Sequence, residues 1–193
     1  MALLDAILQP EWQYRYYSFN VHWNEGEEMA SMRDGAGNDY FLLFSNAGAI
    51  LKGFDHESPM SPYASDPPRI WPGILERVPA VFASFLAEPA FALEATTFCI
   101  WRTSSDQKWQ VGDIEFPDGD DPDGSASILT LLDGNPQNYC DWATENYEVK
   151  VNLKAVEDIF AHRPITPQIV GSLNAGLDLE DLTDDLREIG YRI

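Results

Sequence analysis

The sequence is poor in cysteine and in long apolar runs, and each shortage excludes a class of protein. Its 193 residues include two cysteines, Cys99 and Cys140, which are too few for a disulfide framework and lack the spacing of a zinc site. No stretch approaches the roughly 18 apolar residues that a membrane-spanning helix needs. Residues 1–8 carry Asp5 inside a short apolar run and no basic start, so they do not resemble a signal peptide. We therefore expect a cytoplasmic protein that does not bind membranes.

Basic residues are also scarce. The chain has 12 Lys and Arg against 32 Asp and Glu, which gives a formal net charge of −20. Such a surface repels phosphate backbones, so nucleic acid is not expected as a partner. It attracts basic proteins and cations instead. The charge therefore favours a basic protein partner, although solubility alone would also explain it.

Sequence motifs of nucleotide and hydrolase sites are absent as well. The chain contains no GxxxxGK[ST] loop, no GxGxxG fingerprint and no GxSxG elbow. We accordingly predict no cofactor. The hydrophobic fraction of 45% is ordinary for a globular protein, and we expect one domain over residues 1–193.

Patterning predicts an α+β fold, with a largely antiparallel sheet and helices concentrated in the C-terminal third. We expect strands early in the chain, at residues 12–23, 40–44, 49–54, 95–103 and 109–116. The run around Trp101 has the highest β-propensity, so Trp101 is expected to be buried. Residues 27–33 are expected to be a helical turn or two. Residues 127–132 are apolar and fit either a strand or a short buried helix.

Capping residues mark the helices. Helices are expected at residues 2–9, 79–87 and 136–146. Asn152 and Thr166 are typical first-cap residues, and the final helix is expected to begin at Asp178 and to end at Gly190.

The connection at residues 55–72 is long, rich in proline and without periodicity. A structureless segment of this length in a compact domain is usually functional. Prolines lower the entropy lost when a loop becomes ordered, and interface centres favour aromatic anchors beside polar groups. We therefore predict a binding surface formed by residues in and next to this segment: Phe54, Asp55, His56, Glu57, Tyr63 and Trp71. The alternative is that the three aromatic residues only fasten the loop to the core.

Two motifs partly match those of metal sites or enzymes, and neither is complete. The acidic loop at residues 118–124 resembles a calcium loop, but registers that start at Asp118 or place Gly124 sixth both lack required ligands. A zincin would need a second histidine four positions after His56, where Met60 stands. We predict no metal site and no catalytic residue. His56 with its neighbouring carboxylates remains an alternative, as the centre of a small hydrolase or metal-dependent enzyme.

Several short stretches resemble an uncharacterised family of acidic bacterial cytoplasmic proteins. They lie at residues 53–58, 71–73, 86–89, 121–125 and 188–191. The resemblance implies no activity and transfers no catalytic residue. Immunity proteins of bacterial toxin systems share this small, acidic, cytoplasmic appearance.

The leading functional hypothesis is a non-catalytic protein-binding module, such as an immunity protein that neutralises a basic toxin. The small enzyme is the runner-up. A ligand-binding or structural protein without a toxin partner is a third reading.

Overall fold

The computed structural model describes residues 1–192, which contain six strands and seven α-helices. The strands are β1 (Tyr17–Asn24), β2 (Glu27–Arg33), β3 (Asp39–Ser45), β4 (Gly48–Phe54), β5 (Phe98–Thr103) and β6 (Gln110–Val111). The helices are α1 (Ala2–Leu8), α2 (Ala83–Ala87), α3 (Ser125–Ile128), α4 (Pro136–Asn146), α5 (Leu153–Phe160), α6 (Pro167–Leu173) and α7 (Thr183–Ile189). None of the helices within residues 1–192 is both long and apolar enough to cross a membrane.

The strands form one sheet in the order β1-β2-β3-β4-β5-β6. Every neighbouring pair from β2 to β6 is antiparallel. The predicted hairpin between β3 and β4 is present, with Ser45 opposite Gly48. Most of the helical residues follow the sheet. The predicted α+β class is therefore confirmed.

Helices α4, α5 and α6 begin where expected, whereas the final helix, expected from Asp178, begins only at Thr183, because Asp178 caps a 3₁₀ turn (Leu179–Leu182) that precedes α7. Asn135, Asn152 and Thr166 each accept a backbone N–H bond from the first turn of α4, α5 and α6. Gly190 ends α7 in the left-handed conformation, with φ of 70°. Local chemistry therefore fixes these boundaries.

The helix expected at residues 27–33 was wrong, because this segment is strand β2. All seven of its residues pair with β3, from Glu27 opposite Ser45 to Arg33 opposite Asp39. Pairing along a whole strand outweighs the high helix propensity of Glu, Met and Ala, because propensity is a small free energy per residue that tertiary contacts override. The missed signal is the Asn24-Glu25-Gly26-Glu27 turn, in which Gly26 has the positive φ that tight hairpins require.

Other boundaries also differ from expectation. The helix expected at residues 79–87 begins with a 3₁₀ turn, Ala80–Phe82, before α2, and the strand expected at residues 95–103 begins only at Phe98. The chain at Trp12–Tyr14 is a 3₁₀ turn, so β1 starts later than predicted. The strand expected at residues 109–116 is only the two residues of β6. Residues 127–132 contain the end of α3 and a 3₁₀ turn, Thr130–Asp133, without a fully buried residue.

The chain divides into two compact units, one of Met1–Val21 with the chain from Leu131 onward, the other of His22–Thr130. The first unit centres on the buried carboxylate of Asp5. Its Oδ2 accepts the backbone N–H groups of Tyr16 at 2.9 Å and Tyr17 at 2.8 Å. The Tyr139 hydroxyl donates to Oδ1 at 2.6 Å, and the Tyr147 hydroxyl donates to Oδ2 at 2.9 Å. Four donors thus compensate for taking a carboxylate out of water.

In the second unit, one cluster of buried apolar side chains lies on the face of the sheet that carries Trp101. Trp101 is 3% exposed there, as predicted, and Cys99 is fully buried. Leu43, Ile50 and Trp101 belong to one cluster with further apolar side chains from the chain between β4 and β5: Met60, Ile74, Phe82, Phe85 and Phe91. This packing places the start of the proline-rich segment against the sheet.

Lys52 lies on the same face and is fully buried. Its Nζ is 3.1 Å from Asp39 Oδ1, donates to the carbonyl oxygen of Ala95 at 2.6 Å, and lies 5.6 Å from the ring centroid of Phe41. Burial lowers the pKa of Lys52 although Asp39 opposes this, and burial raises the pKa of Asp39 although Lys52 opposes it. Loss of hydration thus outweighs the attraction between the two charges.

We therefore expect Lys52→Met to leave the free energy of unfolding unchanged or to raise it. Asp39→Ala leaves the buried ammonium of Lys52 without its carboxylate and should lower the free energy of unfolding by about 1–3 kcal/mol. Urea denaturation measures both.

Below its ordinary pKa of 10.5, unfolded Lys52 binds more protons than folded Lys52. Wild-type stability should therefore rise with pH towards 10.5 relative to Lys52→Met. A Lys52→Met variant as unstable as Asp39→Ala would contradict the argument.

Candidate functional site

A tight turn follows β4 and forms the start of the proline-rich segment. Asp55 Oδ1 accepts the backbone N–H of Glu57 at 2.9 Å, and the backbone N–H of Ser58 donates to the carbonyl oxygen of Asp55 at 3.3 Å. The backbone N–H of Asp55 donates to Thr97 Oγ1 at 3.0 Å, which ties the turn to the residue just before β5. The turn is therefore held in place by its own carboxylate and by the sheet.

The acidic loop at residues 117–124 is fastened to this turn. Ser58 Oγ donates to the carbonyl oxygen of Pro122 at 2.7 Å, and Thr97 Oγ1 donates to that of Asp123 at 2.8 Å. Gly124 has a positive φ, and a Cβ atom there would lie 2.3 Å from Asp55 Oδ2. Only glycine fits so close an approach. We call the turn at residues 55–58 together with residues 117–124 the acidic platform.

The acids of the platform have two different roles. Asp121 accepts the backbone N–H groups of Ala126 and Ser127 and the Ser127 hydroxyl at 2.7–2.9 Å. Burial tends to raise the pKa of Asp121, but these hydrogen bonds outweigh it and hold the pKa below its ordinary value. Asp123 is buried and accepts the N–H of Ser125. Glu57, Asp118 and Asp120 are instead exposed to solvent. The inner carboxylates thus shape the loop, and the outer ones carry its surface charge.

The three predicted aromatic residues differ in exposure. Tyr63 is 60% exposed, and its ring packs edge-on against that of buried Phe54, with centroids 5.8 Å apart. Trp71 is half-buried against the core, and its Nε1 donates to the carbonyl oxygen of Glu115 at 3.1 Å. Tyr63 is therefore the aromatic surface available to a partner, while Phe54 and Trp71 hold the segment in place.

His56 is held by Asn38. Its backbone N–H donates to Asn38 Oδ1 at 3.0 Å, and its Nδ1 lies 2.8 Å from the same oxygen. Its Nε2 is 3.9 Å from Oε1 of Glu57, and both side chains face solvent. Asp55 lies next in sequence, but its carboxylate accepts the backbone N–H of Glu57 within the turn. The imidazole is thus oriented by an amide oxygen, and its neighbouring acid is solvated.

Residues 1–192 contain no group of three or more His, Cys, Asp or Glu side chains placed to hold a metal ion. Sequence reasoning missed Ser58 and Thr97, the two hydroxyls that join the platform. Their partners lie 64 and 26 residues away along the chain, and nothing in either local sequence indicates such distant contacts.

No protein-family model matches this chain, and neither curated protein sequences nor solved structures yielded a match.

Proposed function

We propose that this chain is a non-catalytic protein-binding module whose acidic platform, together with Tyr63, binds a basic protein. The observation that carries the proposal is the attachment of the acidic loop to the proline-rich segment through Ser58 and Thr97. Two segments distant in sequence thereby form one surface with outward carboxylates.

Pre-formed geometry supports binding. The turn, the loop and Tyr63 are each fixed by hydrogen bonds or ring packing, so little conformational entropy is lost when a partner docks. Exposed Glu57, Asp118 and Asp120 complement a basic partner and raise its rate of association. Tyr63 offers the rigid aromatic contact on which interface energies often depend.

An immunity protein is the specific form of module that we favour, since a basic toxin is a partner that a chain of net charge −20 would attract. Identifying the genes beside this one in its genome, and testing whether the chain protects cells from a neighbouring toxin, checks that narrower proposal.

Binding should depend on Tyr63 and on two platform residues, and replacing any of them should leave the fold intact. We expect Tyr63→Ala, His56→Ala and Glu57→Ala each to weaken binding of a partner recovered from the native host by about fivefold or more. Because these side chains face solvent, the melting temperature should stay within about 2 °C of wild type. Calorimetric titration of the purified partner and thermal unfolding measure the two effects.

Matched controls lie elsewhere on the surface. Glu25→Ala removes an exposed acid outside the platform, and Val81→Ala removes an apolar side chain that is 58% exposed. Both should bind the partner like wild type. If the two platform variants and Tyr63→Ala all bind every recovered partner as tightly as these controls, this surface is scaffolding and the proposed function fails.

A further inference from the structure

The sheet ends in a strand whose side chains are uncovered. β6 is the last strand in the order and pairs with β5 only at Gln110 and Val111. Val111 is 52% exposed, and Trp109, immediately before the strand, is 45% exposed. Two large apolar side chains at one sheet edge are unusual, because edges are more often protected by charge or by a covering segment.

An apolar row runs across the sheet and stops at this edge. Leu42 lies opposite Leu51, Leu51 opposite Ile100, and Ile100 opposite Val111. Directly opposed residues point to the same face. Leu42 and Leu51 are buried, Ile100 is partly buried and Val111 is exposed. One more strand beside β6 would place a side chain next to Val111 and extend the row.

The chain after β6 is fixed and acidic. Gly112 packs against Gly73 so closely that a Cβ atom at residue 112 would lie 1.8 Å from the Gly73 carbonyl oxygen. The next residues reach Glu115, which is exposed, and Phe116, which is 48% exposed. We call residues 109–116 the edge strip. The edge strip runs directly into residues 117–124 of the acidic platform. It is also joined to the proline-rich segment, because Trp71 Nε1 donates to the carbonyl oxygen of Glu115.

We propose that the edge strip binds an extended segment of a partner protein, in which apolar residues alternate with Lys or Arg, as an additional strand beside β6. The inference rests on the proposed function and specifies which part of the basic partner docks. Apolar side chains of the segment contact Trp109 and Val111, and its basic side chains face Glu115 and the acidic loop beyond it. Main-chain hydrogen bonds provide affinity in this mode of binding, and the alternate side chains provide specificity.

Charge decides between this occupant and a second copy of the chain. Pairing two edge strips would bring together two chains of net charge −20, and the repulsion between like charges opposes such a dimer. A basic segment is instead attracted by the negative charge of the chain. Asp113 is already paired with Arg77 at 2.5 Å, so Glu115 is the strip's own unpaired acid for the incoming cation.

A synthetic peptide of alternating Val and Lys, about ten residues long, is the probe. Two variants receive the same charge change at exposed valines, Val111→Lys in the strip and Val81→Lys outside it. We expect Val111→Lys to weaken peptide binding by about tenfold or more and Val81→Lys by no more than about twofold. The bound peptide should slow amide hydrogen exchange at residues 109–112. A peptide with proline at alternate positions, which cannot donate to a strand, should bind much more weakly.

Each other outcome overturns the inference. Equal effects of the two lysine variants, or equal binding of the proline peptide, would show attraction by overall charge alone. Failure to bind the Val-Lys peptide at about 1 mM would also reject the strip as a site. Self-association in sedimentation velocity that Val111→Lys abolishes would make a second copy the occupant. The proposed function is judged separately, by Tyr63→Ala and Glu57→Ala with the native partner, so either can fail while the other holds.

Discussion

Replacing Asp5 with alanine is expected to lower the free energy of unfolding by about 3–5 kcal/mol, one of the two largest effects we predict for a single substitution. The change removes an acceptor that serves two backbone N–H groups and the hydroxyls of Tyr139 and Tyr147. These donors would remain in an apolar site without partners, and each unsatisfied group costs free energy. Urea denaturation of wild type and variant, followed by circular dichroism, measures the loss.

Asp5→Asn is the informative comparison. Its carbonyl oxygen can take the place of Oδ2, and its amide can donate to the Tyr139 hydroxyl, which can turn to accept. We therefore expect it to lose less than half as much stability as Asp5→Ala. Equal losses would mean that the negative charge matters and the acceptor geometry does not.

The pH dependence of stability distinguishes wild type from Asp5→Asn. Burial raises the pKa of Asp5, although hydrogen bonds from Tyr139, Tyr17 and Tyr147 oppose this. Above its ordinary value of 3.8, and up to the raised value, the folded protein holds more protons at this site than the unfolded chain. Wild-type stability should therefore fall relative to Asp5→Asn as pH rises through this window.

Trp101→Ala should be comparably destabilising, by about 3–5 kcal/mol. The indole is 3% exposed and packs within the core cluster between the sheet and the segments that follow β4. Its removal leaves a cavity that neighbouring side chains can fill only in part, so lost burial and lost packing add together. The midpoint of chemical denaturation reports the change.

Trp109→Ala is the matched control for Trp101→Ala. It removes the same side chain eight positions along, from a site that is 45% exposed. We expect a loss of less than about 1 kcal/mol. A small effect of Trp101→Ala, close to that of Trp109→Ala, would show that β5 is not part of the core.

Local signals predicted much of the fold and failed where distant contacts decided. Asn152 and Thr166 are caps whose partners lie within the next turn, so their helices could be placed from sequence. Strand β2 could not be predicted from sequence, because its conformation depends on pairing with β3 and its own residues favour helix. The close approach of Gly112 to Gly73, immediately after the two-residue β6, is likewise a distant contact that the local sequence does not indicate.

The candidate site follows the same division. The sequence predicted a binding surface in the segment that contains His56, but it singled out the acidic loop that contains Asp121 only as an incomplete calcium motif and gave no sign that the two touch. That contact depends on the Ser58 hydroxyl and on the absence of a side chain at Gly124. That Tyr63 is exposed and Phe54 is buried could also be seen only in the three-dimensional structure.

The hydrogen bond between Asp5 and Tyr139 determines how late during protein synthesis the first unit can complete its folding. Tyr139 is separated from Asp5 by 134 residues, which take roughly 7–27 s to add at the usual rate of 5–20 residues per second. Throughout this interval the first unit lacks its second half, and water must solvate the Asp5 carboxylate. The continuous stretch His22–Thr130 has left the ribosome's catalytic centre before Tyr139 is added. Synonymous codons that slow translation after residue 130 should therefore prolong exposure of the N-terminal segment to proteases, without changing any residue of the protein.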